Sequence, residues 1–198
     1  GPAGIITARQ GAEAGLNVLV VEKKNHIGGH CFDYLNDRGI YVHQYGPHIF
    51  HTDNEEVWEF FSRFTQWYEY QHKVLGLIDG NAVPIPFNLN TLHAIFPPSL
   101  AERTEQKLIE AFGFGATVPI LDLRGRKDPD LSRLAEYVYE KVFLNYSLKQ
   151  WGLGPDQIDP NVSARVPVKV SRDDRYFTNR YQGIPKQGYT RMFARMLD

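Results

Sequence analysis

The sequence contains a single cysteine, Cys31, in 198 residues. An internal disulfide is therefore excluded, and a reducing compartment is expected. No apolar run is long enough to cross a bilayer, and no secretory leader pattern is visible. The expected location is the cytoplasm, away from the membrane. Charge of one sign is also missing. Lys and Arg number 22, Asp and Glu 23, and the formal net charge is −1. That balance removes any general affinity for nucleic acid or acidic membranes. The seven histidines include His26, His30, His43, His48 and His51, near Cys31. None has H-E-x-x-H spacing or stands with paired C-x-x-C, so no metal site is expected. A Ser-His-Asp or Cys-His nucleophile has no signature either, and Cys31 reads as a small buried side chain.

What is present begins at the first residue. Gly1-Pro2-Ala3-Gly4 has the spacing of the last two glycines of a G-x-G-x-x-G turn. The first lets backbone approach a pyrophosphate, and the second lets a helix pack close to a sheet. Ile5, Ile6, Ala8, Ala12 and Ala14 predict a helix over 5–15, with Gly15 as its stop. Leu16 to Val21 is nearly continuous apolar sequence and predicts a buried parallel strand. It ends in Glu22, where an acidic residue binds a free ribose hydroxyl and disfavours the 2′-phosphate of NADP. Gly28-Gly29 adds a second tight turn. The motif's first glycine, its preceding strand and an initiator Met are absent, so a fragment or a chain lacking its first strand is expected.

Further on, Asn36-Asp37-Arg38-Gly39 marks a turn, and residues 40–45 alternate like a strand. Thr52 with Glu55 predicts a capping box before a helix bearing Val57, Phe60, Phe61 and Phe64. Asp79-Gly80 between apolar segments predicts a β-hairpin over 74–88, with Pro84 and Pro86 at an edge strand or its exit. Ser99 with Glu102 opens a helix stopping near Gly113. Asp128-Pro129 opens another that ends at Trp151-Gly152. Residues 161–184 read as extended, and Gly188 begins a last helix over 189–197. The expected organisation is 1–73 as the first part of a nucleotide-binding domain, 74–88 as a hairpin, 89–150 as a helical subdomain, and 151–198 as a β segment with a return helix.

The aromatic share is high at 13%. Tyrosine suits a sugar or nucleotide pocket, because its ring stacks and its hydroxyl bonds. Arg165, Lys169, Arg172, Arg175 and Arg180 form a basic stretch interleaved with Tyr176, Phe177 and Tyr181. Most of these charges read as a solvated strand face. Arg165, in apolar surroundings before Val166-Pro167, is the candidate for holding a pyrophosphate.

Five segments carry a resemblance. They are His26-Ile27-Gly28-Gly29, Tyr45-Gly46-Pro47-His48-Ile49-Phe50-His51-Thr52, Lys149-Gln150-Trp151-Gly152, Arg165-Val166-Pro167-Val168, and Tyr176-Phe177 with Tyr181-Gln182-Gly183-Ile184-Pro185. Together, and in this order, they resemble the UDP-galactopyranose mutase family of the bacterial type, over about its N-terminal half. The resemblance implies an α/β fold, a Rossmann-like FAD-binding domain lacking its first strand, with an inserted helical subdomain and an extended β segment. It implies isomerisation of UDP-galactopyranose to UDP-galactofuranose, with N5 of reduced FAD as nucleophile and no net redox change. It assigns Gly1, Gly4, Glu22, Lys23, Gly28, Gly29, His30 and His48 to FAD, with His48 also beside the flavin ring as a catalytic residue. Tyr146, Trp151, Arg165, Tyr176 and Phe177 would line the substrate pocket, and Arg165 would be catalytic as well. UDP-galactose is the implied partner, a homodimer is allowed, and nucleic acid is not expected. Two departures stand out: His30 replaces a common Asn, and Lys169 replaces a frequent Arg. The family's other half supplies a second diphosphate-binding arginine and further tyrosines. An amine-oxidase-like flavin oxidoreductase and a non-catalytic nucleotide-binding fragment remain the alternative readings.

Overall fold

A computed structural model describes residues 1–154, 157 and 167–198, the side chains of Gln150 and Trp151 excepted. The chain forms two compact units: Gly1–His72 with Phe177–Asp198 is unit 1, and Lys73–Tyr176 is unit 2.

Unit 1 opens with helix α1, Pro2–Glu13. Pro2 sits at the first helical position, where its missing N–H is not needed. Gly15, with φ of 80°, ends the helix, its N–H bonding Ala12 O at 2.9 Å. Ile5 and Ala8 are the buried positions of α1. Its neighbour is the last helix, Tyr189–Leu197, here α8. The buried residues of α8 are Tyr189, Met192, Phe193 and Met196, a single stripe at helical spacing. With Ile5 and Phe64 they make the unit's core.

The strand expected over Leu16–Val21 is not formed. Leu16, Leu19 and Val21 are 66%, 85% and 83% exposed. A strand needs a neighbour to take its N–H and C=O groups, and among the described residues none pairs with this run. Apolar content alone therefore does not make it a strand.

Strands β1 (Asp33–Leu35) and β2 (Tyr41–His43) form an antiparallel hairpin. Its turn is closed by Asn36, whose side-chain oxygen accepts from Arg38 N at 3.0 Å and Ile40 N at 2.9 Å. Strand β3 (Phe50–Thr52) leads to α2 (Glu55–Ser62) and β4 (Trp67–Glu69). The cap of α2 is Asn54, accepting from Val57 N at 3.1 Å. Thr52 is not the cap: it ends β3, and its hydroxyl accepts from Asn54 N at 3.0 Å.

Unit 2 begins with the hairpin β5 (Val74–Ile78) and β6 (Asn81–Ile85). Asp79 and Gly80 have φ of 47° and 83°, the two positive values a tight hairpin turn requires. Helix α3 (Leu89–Ile95) is capped by Asn88, which accepts from Thr91 N at 3.0 Å. Helix α4 (Pro98–Phe112) has no side-chain cap, because it starts at Pro98, ahead of the Ser99–Glu102 pair. Strand β7 (Thr117–Val118) and α5 (Ile120–Arg124) follow. Asp128 caps α6 (Pro129–Val138), accepting from Asp130 N at 2.9 Å and Leu131 N at 3.1 Å. The helix continues through a π-helical stretch, Tyr139–Leu144, into α7, Asn145–Trp151, where Gly152 stops it in the left-handed region. Phe87, Leu89, Leu92, Leu108, Leu134 and Val138 are at the centre of the unit's core.

The extended return expected over 161–184 is short where it is described. Residues 161–166 lie outside the description. Strand β8 (Val168–Lys169) pairs with β7. Asp173 then turns the chain, its carboxylate accepting from Arg175 N at 3.0 Å, which bends the backbone away from a strand path. In unit 1, β9 (Tyr181–Pro185) lies between β3 and β4, antiparallel to both.

Helix α8 is closed by a residue from β1. The Asp33 carboxylate accepts from Tyr189 N at 2.6 Å and Thr190 N at 2.8 Å. The Thr190 hydroxyl donates to Asp33 O at 2.7 Å and accepts from Asp33 N at 2.9 Å. Asp33 is only 3% exposed, so these are buried charge-assisted bonds. Asp33→Ala is expected to destabilise unit 1 by about 2 kcal/mol, the upper end for a lost helix cap. A denaturant unfolding midpoint unchanged in that variant would contradict the assignment.

Candidate functional site

The glycine corner of unit 1 brings three parts of the sequence together. Gly28 and Gly29 have φ of 86° and 60°. A Cβ on Gly29 would stand 2.9 Å from Gly1 Cα, so backbone meets backbone there. Glu22 Oε2 lies 3.5 Å from Gly1 N, and its other oxygen accepts from Lys24 N at 3.0 Å. The Lys24 N–H is the main cause holding the Glu22 carboxyl below its usual value. At the start of α1 no side chain caps the helix, and a Cβ on Gly4 would meet nothing within 4 Å. Uncapped N–H donors, glycines with open space and a nearby carboxylate suit a diphosphate joined to a ribose. These residues fit a dinucleotide such as FAD. Lys23 is exposed at the same corner.

Tyr45 organises the adjoining surface. His26 Nε2 bonds its hydroxyl at 2.9 Å, Lys24 Nζ lies 4.0 Å from its ring centre, and the His30 ring is 5.2 Å away. His30 thus packs on an aromatic ring. His48 is fixed twice. Its Nδ1 bonds Gly46 O at 2.9 Å, and its backbone N–H donates to His43 Nδ1 at 2.9 Å. His43 accepts there, which requires an unprotonated Nδ1. Burial lowers the His43 pKa and favours that state.

A second cluster in unit 1 was not visible in the sequence. His51, in β3, stacks on Phe177 with ring centres 3.7 Å apart and planes at 14°. His51 Nδ1 bonds Asn179 Oδ1 at 2.9 Å, and Asn179 Nδ2 donates to Asp53 Oδ2 at 2.6 Å. Asp53 Oδ1 also accepts from Arg180 N at 2.8 Å. Gln182, the register partner of His51, donates to Phe177 O at 3.1 Å and Asn179 O at 2.8 Å. Only spacing along the chain could have signalled this group, and residues 51–53 and 177–182 are far apart there.

In unit 2, Tyr176 is partly buried. Burial, with a smaller effect from the nearby Tyr146 hydroxyl, raises its pKa, so these two candidate residues lie near one another. Tyr146 is 48% exposed. Lys169 is buried and donates to Arg175 O at 2.8 Å and Tyr176 O at 3.1 Å, holding the backbone that carries Tyr176. Burial lowers its pKa. Arg172 NH2 is engaged with both Glu105 oxygens at 2.7 Å. Arg165 lies outside the described residues, as does the Trp151 side chain. Among the described residues no cluster could hold a metal ion, and no helix is long and apolar enough to cross a membrane.

Comparison with known proteins finds two family models and several relatives. Residues 1–64 match the model of the NAD(P)-binding Rossmann-like domain, and residues 141–198 match the UDP-galactopyranose mutase model. The whole chain is 34% identical to a probable UDP-galactopyranose mutase of Klebsiella pneumoniae, of which it covers 51%. It is 36% identical to the dTDP-fucopyranose mutase of Escherichia coli, covering 52% of it. It is 35% identical to the UDP-galactopyranose mutase of Mycoplasma pneumoniae, covering 50% of it. The chain therefore spans about half the length of the curated relatives it matches. In fold it is similar to a crystal structure of reduced UDP-galactopyranose mutase, with a TM-score of 0.64 over 99% of this chain and 44% of that one, at 17% identity. The chain is thus similar to curated mutases along its whole length, over about half of theirs, and its residues 141–198 match the mutase family model.

Proposed function

We propose that the protein built on this chain interconverts the pyranose and furanose forms of a nucleoside diphosphate hexose, UDP-galactose first, with FAD bound at the glycine corner of unit 1. The observation that carries this is similarity over the entire chain to curated mutases, at 34–36% identity. Reduced FAD, when bound, supplies the nucleophile at its N5, so the isomerisation involves no net redox change.

The chain's own residues then bind and orient. Backbone N–H groups at the start of α1 face the cofactor's diphosphate, and Gly1, Gly4, Gly28 and Gly29 leave room for it. The Glu22 carboxylate accepts from a ribose hydroxyl. Lys23 and His30 flank the same cofactor, and His48, fixed through Gly46 and His43, holds its ring beside the flavin. Tyr146, Trp151, Tyr176 and Phe177 contact the substrate. Arg165 pairs with its diphosphate and stabilises charge gathering on the leaving nucleotide.

The reading is tested by chromatography of UDP-galactofuranose incubated with the whole protein and dithionite, with dTDP-fucofuranose in parallel because of the second kind of relative. Conversion of either to the pyranose is expected, and conversion of neither overturns the reading. Glu22→Ala should weaken FAD binding by roughly 1.5–3 kcal/mol, as for a lost hydrogen bond to a charged acceptor. Unchanged FAD affinity would move the ribose contact elsewhere. Arg165→Ala should lower turnover about a hundredfold or more, with Arg165→Lys restoring part of it, because a point charge cannot make the two-pronged contact. Arg172→Ala should have a much smaller effect, since Arg172 already faces Glu105. Comparable losses in the two alanine variants would remove Arg165 from its role.

A further inference from the structure

Lys169, one of the two departures from the family pattern, is only 7% exposed. Its backbone is anchored on two sides. It pairs with Thr117 of β7, and its N–H donates to Phe87 O at 2.8 Å. From that base the side chain crosses to the far end of the turn that follows β8. There Nζ donates to Arg175 O at 2.8 Å and to Tyr176 O at 3.1 Å. The start of α3 clamps the same turn nearer its middle. Asn90 Nδ2 donates to Arg172 O at 3.0 Å and to Asp174 Oδ1 at 2.9 Å, and Asn88 Nδ2 donates to that Asp174 oxygen at 2.9 Å. Two amides thus hold the middle of the turn, and one ammonium holds its end.

A buried ammonium is costly, and burial lowers the Lys169 pKa. An apolar side chain of similar length would fill the space without that cost. What the charge adds is its pair of bonds, and both go to the main chain that carries Tyr176. The Tyr176 hydroxyl stands at the far end of a rigid ring. A small rotation of the backbone therefore displaces it by more than hydrogen-bond geometry tolerates. We propose that Lys169 is a positioning residue for the substrate site: by holding the carbonyls of Arg175 and Tyr176, it fixes the Tyr176 hydroxyl where that hydroxyl bonds the bound nucleoside diphosphate sugar. The proposal rests on the mutase reading above.

The test is a double-mutant cycle on the FAD-loaded whole protein, with UDP-galactose affinity read by calorimetry. Lys169→Met keeps the length of the side chain and removes the donors. With Tyr176 in place it should lower the affinity about tenfold, the scale of one hydrogen bond, with FAD content retained. In a Tyr176→Phe background, where no hydroxyl is left to position, the same substitution should change the affinity less than twofold. A role in folding alone would give the same loss in both backgrounds. Lys169→Arg, which supplies N–H donors again, should recover part of the affinity. If Lys169→Met does not yield folded flavoprotein, Lys169→Gln enters the same cycle, with one shorter, uncharged donor group in place of the ammonium. A loss within twofold of the parent when Tyr176 is present, or an equal loss in the two backgrounds, overturns the proposal. The mutase reading fails separately, by absence of pyranose–furanose conversion in the unsubstituted protein.

Discussion

Unit 1 depends on the Asp33 carboxylate at the start of α8. The chain leaves this unit after His72 and returns at Phe177, so the contact between β1 and residues 189–190 closes a very long loop. Closing such a loop costs conformational entropy, and the bonds that hold it must be made in a place where water cannot compete. Burial of Asp33 meets that need. The residue opposite must be glycine: a Cβ on Gly188 would stand 2.8 and 2.9 Å from the two Asp33 oxygens, at a φ of 79°. Asp33 and Gly188 are therefore mutually required, although neither belongs to a recognisable nucleotide motif.

The glycine corner inherits its shape from that closure. Once α8 is held, Phe193 projects beside Gly28, where a Cβ would lie 3.1 Å from the ring. Gly28 must then be glycine both for its positive φ and for the ring next to it. The turn it makes carries Gly29 against the backbone of Gly1. Met192 and Met196, on the same helix, share a core with Ile5 of α1. The path from Asp33 to the start of α1 is thus one of direct packing, and the geometry of the glycine corner comes from the last helix as much as from the opening glycines.

Local chemistry made some elements legible in the sequence. Gly15, Asp79-Gly80, Asp128-Pro129, Gly152 and Gly188 each mark a stop, a turn or a start, because each decides its own backbone conformation. Partner-dependent features were not legible. The apolar run Leu16–Val21 promised a strand but has nothing described to pair with. The cap of α2 moved to Asn54 because β3 had already taken Thr52. The stacking of His51 on Phe177, and the asparagine that orients it, require knowing that β9 lies beside β3. The family resemblance supplied Glu22 and His48 as candidates, and the structure shows what surrounds each. His51 lies within a segment that carries the resemblance, but its neighbours Phe177 and Asn179 come from the other end of the chain.

The basic stretch shows how charge can be read wrongly from composition. On paper, Lys169, Arg172, Arg175 and Arg180 with interleaved aromatics could face a polyanion. In the fold each side chain already has a partner. Lys169 donates to two carbonyls, Arg172 pairs with Glu105, Arg175 pairs with Asp173, and the Arg180 guanidinium lies 4.9 Å from the centre of the Tyr181 ring. A long anion would have to displace these partners, and unpairing a carboxylate or a buried carbonyl opposes its binding. Along this stretch the four charges thus hold the chain in shape.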